Sequence, residues 1–228
     1  MRRIAIGFIM VVACAESLSA QRRIPGVRGG EPAAWISGGI GFFTGNGVND
    51  GRTQSTWDFG SSTNFQYRAS LEKTIANQSS FGLMGTYVRV PFVYTSTAVV
   101  PPSGGATCGS CEAHLDMMTL SATFHAGGGV GFHQVIEASA GVAQYSSLTR
   151  DSDGAELAPS GGNLDPIFSF GYGFGYGLSQ NTQIDLVQDY GIALHEKSGL
   201  ANGVSNTNTV RTLRFTARFG FGSRSTRR

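Results

Sequence analysis

The segment T-V-R-T-L-R-F-T-A-R-F-G-F, residues 209–221, decides the fold of this chain. From Leu213 to Phe221 every second residue is apolar, and arginine, threonine or glycine lies between. Strict alternation predicts a β-strand with one apolar and one polar face. An apolar face that carries three phenylalanines, the last of them close to the end of the chain, is typical of a strand that faces lipid. We therefore expect this strand to belong to a membrane barrel.

Composition excludes several other classes of protein. Charged residues make up 14% of the chain, well below the usual quarter, and glycine contributes 33 of the 228 residues. The 15 phenylalanines argue against an intrinsically disordered chain. The formal net charge is +2 and the sequence has no basic run beyond short pairs, so we expect no nucleic-acid partner.

The N-terminus predicts export. Two arginines precede an apolar run, Ile4 to Ala13, which is too short to cross a bilayer as a helix. Cleavage after Ala20 and cleavage near Cys14 both remain open, and the residues before Cys14 also look like a lipoprotein box in which this cysteine would be acylated. We take residues 1–20 as the signal peptide and 21–32 as a periplasmic leader.

The rest of the chain predicts an all-β domain, an eight-stranded antiparallel up-and-down transmembrane β-barrel over residues 33–222. Four long connections, at 44–62, 96–114, 147–165 and 197–208, alternate with three short turns. Outer-membrane barrels place short turns in the periplasm and long loops outside, which puts both termini, including the tail 223–228, in the periplasm. The expected strands are 33–43, 63–75, 81–95, 115–127, 132–146, 166–179, 182–196 and 209–222.

Alternation alone leaves open which face of each strand lies inside. A soluble ligand-binding barrel would turn its apolar face inward. An eight-stranded interior is barely wide enough to be filled by side chains, however, and the large apolar residues of these strands would overfill it. The polar faces, rich in Ser, Thr and Gly, suit a packed lumen. The polar face of 166–179 carries four glycines, which indicates close quarters where longer side chains from other strands need room.

Charged residues on the inward faces predict an ion-pair network in the lumen. If residues 197–208 form a symmetric loop, Asp185 lies opposite Arg218 and Asp189 lies opposite Arg214. Isolated charges in a confined lumen are costly, whereas paired and hydrogen-bonded charges are tolerated. We therefore favour a polar plug over a proton or ion path. Further expected members of the network are Arg68, Glu72, Arg89 and Glu137.

Two histidines, His125 and His133, flank a predicted short turn symmetrically. In one interpretation they form an inward pair near the periplasmic mouth that binds a metal or senses pH. Two ligands do not make a metal site, so we favour the alternative of solvated histidines and expect neither a metal nor a cofactor.

The second and third long loops carry two further motifs. Cys108 and Cys111 are an even pair in an oxidising compartment, and they predict a small disulfide that stiffens the second long loop. Asp151, Asp153 and Glu156 in the third long loop suggest a calcium site, but their spacing does not match the ligand positions of a twelve-residue calcium-binding loop. For these acidic residues we expect a solvated turn.

The export signal, the alternating connections and the ending L-R-F-T-A-R-F-G-F resemble the eight-stranded bacterial outer-membrane β-barrels, the OmpA/OmpX/OmpW-like class. The resemblance covers residues 33–222, and the tail from Gly222 to Arg228 departs from it because many members end on the phenylalanine. It implies contact with outer-membrane lipid, recognition of the C-terminal strand by the barrel-assembly machinery, and a monomer. Enzymes that resemble lipid A deacylases need a His-x-Ser motif, and no histidine in this chain is followed two residues later by serine.

These observations predict a non-enzymatic outer-membrane barrel that presents its loops to an unidentified extracellular ligand. Its lumen is expected to be largely plugged by polar side chains. A small-solute or ion channel and a secreted, soluble ligand-binding β-barrel are the two alternatives.

Overall fold

Eight long antiparallel strands follow one another around a barrel in the computed structural model, which describes residues 31–60, 62–98 and 104–223. Two short strands lie in the first long connection. In chain order the ten strands are β1 (Ala34–Gly45), β2 (Val48–Asp50), β3 (Ser55–Asp58), β4 (Asn64–Ala76), β5 (Ser79–Ser96), β6 (Cys111–Ala126), β7 (Gly131–Arg150), β8 (Asn163–Ser179), β9 (Thr182–Leu194) and β10 (Thr207–Phe221).

The barrel closes between the first and the last strand. Strand β1 pairs with β10 along its whole length and with β4 on its other side, and β5 pairs with both β4 and β6. This closure confirms the predicted eight-stranded up-and-down barrel. The signal peptide, nearly all of the leader and nearly all of the C-terminal tail lie outside the described residues.

Short and long connections alternate, which defines two ends of the barrel. The short-turn end carries the connections 77–78, 127–130 and 180–181, and the long-loop end carries 46–63, 97–110, 151–162 and 195–206. Strands β6, β7 and β8 extend three or four residues beyond their predicted bounds toward the long-loop end.

The first long connection is a hairpin, which the sequence analysis did not predict. Strand β2 pairs with β3, and β3 adds to the edge of β5, where Ser55 lies opposite Ser96. The dipeptide Asp50-Gly51 at the end of β2 is the kind of turn signal that marks such a hairpin.

The outer face of the barrel is apolar. Phe170, Phe174, Phe215 and Phe219 point outward, with exposed fractions between 44% and 51%, and so do aromatic and aliphatic residues of every long strand. Arg214 lies on the opposite face of β10 and is 2% exposed. Such a wall suits lipid, and the alternative of a soluble barrel with an apolar interior is therefore wrong for this half of the molecule. Within the described residues, no helix has the length and hydropathy to cross a bilayer.

At the long-loop end the inward-facing residues are mostly apolar, whereas in the rest of the barrel they are mostly polar. The inward residues there form one hydrophobic core, centred on Trp57 of the β2–β3 hairpin, which has no exposed surface. The rings of Phe92 and Tyr145 lie 6.4 and 5.9 Å from the Trp57 ring. The barrel is therefore filled by polar side chains toward the short-turn end and by an aromatic core, covered by the hairpin, toward the long-loop end.

Candidate functional site

The centre of the polar half is the carboxylate of Glu137 on β7, which meets basic side chains from three other strands. Arg68 of β4 donates a hydrogen bond to Oε2 at 2.7 Å, and Arg214 of β10 donates to the same oxygen. His125 of β6 lies 2.9 Å from Oε1 through its Nδ1. All four side chains are buried. A carboxylate that is satisfied by three donors is tolerated away from water, so the group ties together strands on opposite sides of the barrel.

Arg214 also contacts Asp189, as expected from the sequence, but in a different register. Its Nε lies 2.5 Å from Asp189 Oδ2. The residue directly opposite Asp189 on β10 is Thr212, so the two strands are shifted by two positions from the predicted alignment. Arg214 and Asp189 therefore meet diagonally, within the reach of a long side chain.

The predicted pair Asp185–Arg218 is wrong for the same reason. In the observed register Gln183 lies opposite Arg218, and Thr216 lies opposite Asp185. The guanidinium of Arg218 turns instead to Glu72 of β4, with Nη2 2.7 Å from Oε2. Ser70 and Ser80 donate hydrogen bonds to the two oxygens of Glu72, and the Arg218 guanidinium stacks on Trp35 at 4.9 Å.

Asp185 faces His133 of β7. Its Oδ1 lies 3.7 Å from His133 Nε2, and neither of these two atoms has a hydrogen-bond partner among the described residues. Asp185 and His133 are both buried, and so is His125. The expectation of solvated histidines is therefore wrong, because each imidazole points into the lumen at a different carboxylate. In the described part of the chain no three potential ligands converge on a metal-binding point.

The glycines on the inner face of β8 make room for these groups. A Cβ atom on Gly175 would collide with both the Asp185 carboxylate and the His133 imidazole, and one on Gly171 would collide with the Asp189 carboxylate. The structure thus gives a specific physical reason for the glycine-rich face that the sequence displays.

Arg89 does not belong to the network, contrary to the prediction. It lies on the outer face of β5, where its side chain is 59% exposed and its Nε lies 2.9 Å from Asp116 Oδ1 of β6. Tyr87 donates a hydrogen bond to the same carboxylate oxygen at 2.8 Å. This exterior pair lies beside the apolar belt, toward the long-loop end, and does not contact the lumen charges.

A second buried cluster, at the long-loop end, was missed by sequence reasoning. His195 follows the end of β9 and lies between two carboxylates, with Nδ1 2.9 Å from Asp165 Oδ2 and Nε2 3.8 Å from Asp50 Oδ1. Burial opposes the charged imidazolium, but the hydrogen bond to Asp165 and the charges of Asp165 and Asp50 outweigh it and raise the pKa of His195 to about 9. The alternation of inward and outward side chains along the long strands places His195 and Asp165 on inward faces. Asp50 lies in the first long connection, where this alternation does not predict which way a side chain points.

A cavity of about 50 Å³ separates the ion-pair network from the aromatic core. Hydroxyl groups of serine and threonine line it together with apolar side chains, including Phe43 and Met117, and it has room for a few water molecules. The lumen therefore consists of a charged layer, a small polar cavity and an apolar plug.

The loop motifs are structural. Cys108 and Cys111 form the predicted disulfide, which joins the second long loop to the start of β6. Asp153 forms an ion pair with Arg150 at 2.6 Å, and Glu156 accepts a hydrogen bond from the backbone of Gly161. These carboxylates thus hold a turn and do not converge with a third ligand.

Comparison with known proteins identifies the fold. No protein-family model and no curated protein matches this sequence. The crystal structure of Neisserial surface protein A superposes with a TM-score of 0.50 at 13% identity, covering 83% of this chain and 97% of that one. The N-terminal β-barrel domain of Pseudomonas aeruginosa OprF gives 0.43 at 15% identity, with coverages of 82% and 98%.

The outer membrane protease OmpT from Escherichia coli also resembles this chain, with a TM-score of 0.39, 9% identity and coverages of 82% and 96%. At these identities only the similarity to Neisserial surface protein A bears on the fold, and it does not transfer a function. Together with the closed strand order, it shows that this chain has the fold of the eight-stranded outer-membrane β-barrels.

Proposed function

We propose that this protein is a non-enzymatic barrel of the bacterial outer membrane that acts through the surface of its long-loop end. The apolar outer wall supports insertion in lipid, and the alternating connections support an orientation with the long loops outside and both termini in the periplasm. The C-terminal strand, which ends on outward-facing Phe221, is the segment we assign to recognition by the barrel-assembly machinery.

The filled lumen is the observation that carries the proposal. Glu72, Glu137, Arg214 and Arg218 are all at most 4% exposed and tie three strands together across the polar half. The hydrophobic core around Trp57 fills the other half. A solute would have to displace both layers to cross, so the barrel's exposed loops, rather than its interior, are available to a partner.

The burial of the lumen-facing histidines supports a non-enzymatic role. The three lumen-facing histidines, His125, His133 and His195, are at most 2% exposed and each faces a carboxylate. General acid–base catalysis requires a group within hydrogen-bonding reach of a substrate, and the geometry offers these imidazoles no such access.

Planar-bilayer recording of the purified, refolded barrel tests the proposal. We expect no steps of conductance in the parent protein, with folding verified by heat-modifiable mobility on gels. A variant in which Glu137, Arg214 and Trp57 are all replaced by alanine serves as a positive comparison, since it removes the centre of both layers that fill the lumen. Steady single-channel steps in the parent protein would establish the channel alternative, and recovery of the protein in the soluble fraction after carbonate extraction would overturn the membrane location.

A further inference from the structure

The β2–β3 hairpin lies over the long-loop end and brings one buried acidic residue with it. Asp50, at the end of β2, is 3% exposed. Its Oδ2 accepts a hydrogen bond from the Thr53 hydroxyl at 2.7 Å, and its Oδ1 accepts one from the backbone N–H of Arg52 at 2.9 Å. These contacts fix the carboxylate within the hairpin and aim it at the barrel.

His195 is the group that the Asp50 carboxylate meets on the barrel side. It is 2% exposed and contacts Asp50 through Nε2 and Asp165 of β8 through Nδ1. The Trp57 ring of β3 packs edge-on against the imidazole, with 5.5 Å between the ring centroids. The histidine therefore joins the hairpin, through Asp50 and Trp57, to the first residues of β8.

The two buried carboxylates on either side of the imidazole favour its cationic form. Asp50 and Asp165 are both nearly inaccessible to water, and buried carboxylates need a positive partner. A neutral imidazole has one N–H donor and one acceptor nitrogen, so it satisfies only one carboxylate, whereas the imidazolium donates toward both. The raised pKa of His195 agrees with this geometry.

The other groups around the cluster do not supply the missing charge. Asn163 of β8 contacts the imidazole, and Asn208 of β10 donates to the phenol of Tyr145 on β7. All three side chains are neutral near pH 7. Arg52 of the hairpin turn and Glu196 form an exposed ion pair with each other at 3.6 Å. Since this pair is balanced, the charge that holds the two carboxylates together resides on His195.

We propose that His195 is a proton-dependent latch that holds the β2–β3 hairpin closed over the long-loop end. While protonated, it bridges the hairpin carboxylate and the β8 carboxylate. When it loses its proton, Asp50 faces a neutral ring next to a second carboxylate, and the hairpin swings away from the barrel mouth. The hairpin then exposes Trp57 and the aromatic core beneath it. The latch is independent of whether the lumen conducts, so its failure would leave the proposed function standing.

Fluorescence of Trp57 tests the latch directly. The chain has two tryptophans, and a Trp35→Phe background leaves Trp57 as the sole emitter. In the refolded barrel we expect a buried, poorly quenched emission at pH 7 and a red shift with increased acrylamide quenching as the pH rises through about 9. Heat-modifiable mobility at each pH verifies that the barrel itself stays folded.

Two variants in the same background separate the latch from a general effect of pH. His195→Gln keeps the size and polarity of the side chain without its charge, and we expect Trp57 to be quenched at pH 7 with no further change on alkalinisation. His114→Gln, at an exposed histidine paired with Asp151 on the outer wall, is expected to keep the parent transition. A parent protein whose Trp57 stays protected up to pH 10, or a His195→Gln protein that titrates like the parent, would overturn the proposal.

Discussion

Arg218 on β10 and Glu72 on β4 form a buried ion pair, with 2.7 Å between Nη2 and Oε2, although strand β1 lies between their strands. The residue of β1 that lies opposite Arg218 is Ser37, which also lies opposite Ser70 of β4. Because serine is short, the arginine side chain passes over it and reaches the second strand. The pair therefore bridges the junction at which the first and last strands close the barrel.

Glu72→Gln is expected to destabilise the barrel by about 3–5 kcal/mol, because it leaves the buried Arg218 charge without its partner. The measurement is the free energy of unfolding in urea for the protein refolded in lipid vesicles. A double variant, Glu72→Gln with Arg218→Met, is expected to lose less, since it removes both charges together.

The control for this prediction is Asp153→Asn, which breaks the exposed ion pair with Arg150. Exposed pairs contribute little to stability, so this variant is expected to unfold close to the parent. If Glu72→Gln were as stable as Asp153→Asn, the ion pair across β1 would have no role in closing the barrel.

Gly175→Ala is expected to destabilise the barrel by about 1–3 kcal/mol, because the added methyl group collides with the buried Asp185 and His133 side chains, which must shift to make room. Gly38→Ala is the matched control, since a Cβ there meets nothing within 4 Å. Both substitutions are compared by urea unfolding in the same vesicles. Equal stabilities would show that the lumen around Asp185 and His133 is looser than the structure indicates.

The sequence largely predicted the inward face of each strand. It did not predict which residues of neighbouring strands lie opposite each other. Asp189 and Arg214 both lie inside, as predicted, yet Thr212 is the residue opposite Asp189. A register shift of two positions leaves every side chain on the same face, so alternation carries no information that distinguishes the two alignments. The Asp185–Arg218 pair was wrong for this reason alone.

The hydrophobic core and the His195 cluster were not predictable for a different reason. In β5 the outward residues Phe81 and Leu83 are apolar, whereas beyond Val88 the inward residues Phe92 and Tyr94 are the apolar ones. The strand leaves the apolar belt at this point, and an environment of water in place of lipid reverses which face must be apolar. Because the apolar face of β5 switches from outward to inward along the strand, its inward face cannot be assigned if the whole strand is assumed to face one environment. This is why Arg89 was wrongly predicted to lie in the lumen.

Phe170→Arg is expected to reduce the stability of the barrel in vesicles by about 2–4 kcal/mol, since Phe170 lies near the middle of β8 on the lipid-facing wall and a charge there must leave water. Phe221→Arg, at the end of β10, is expected to lose about 0–1 kcal/mol because the penalty falls near the membrane interface. Phe170→Leu controls for the loss of the ring. Equal losses for the two arginine variants would contradict a membrane belt centred on β8.

Protection of Trp57 from acrylamide is expected to fall at both ends of the pH range, giving a profile with an alkaline limb and an acid limb. The pKa of His195 is raised from 6.5 to about 9 in the closed state, so its contribution to hairpin closure is complete below pH 6.5 and is lost as the pH rises through about 9. For Asp50, burial opposes the carboxylate, but the nearby His195 and the hydrogen bonds from Thr53 and the Arg52 backbone lower its pKa below 3.8. Its contribution is present above pH 3.8 and is lost as the pH falls through the lowered value.

Closure is therefore expected to be strongest between pH 3.8 and 6.5, with quenching of Trp57 by acrylamide at its minimum there. Asp50→Asn is expected to abolish the acid limb and weaken the alkaline one, because His195 then retains only Asp165 as an anionic partner. Asp151→Asn in the third long loop is the matched control and is expected to leave both limbs in place. A profile in which the acid limb survives in Asp50→Asn would assign that limb to the lumen carboxylates and not to the hairpin.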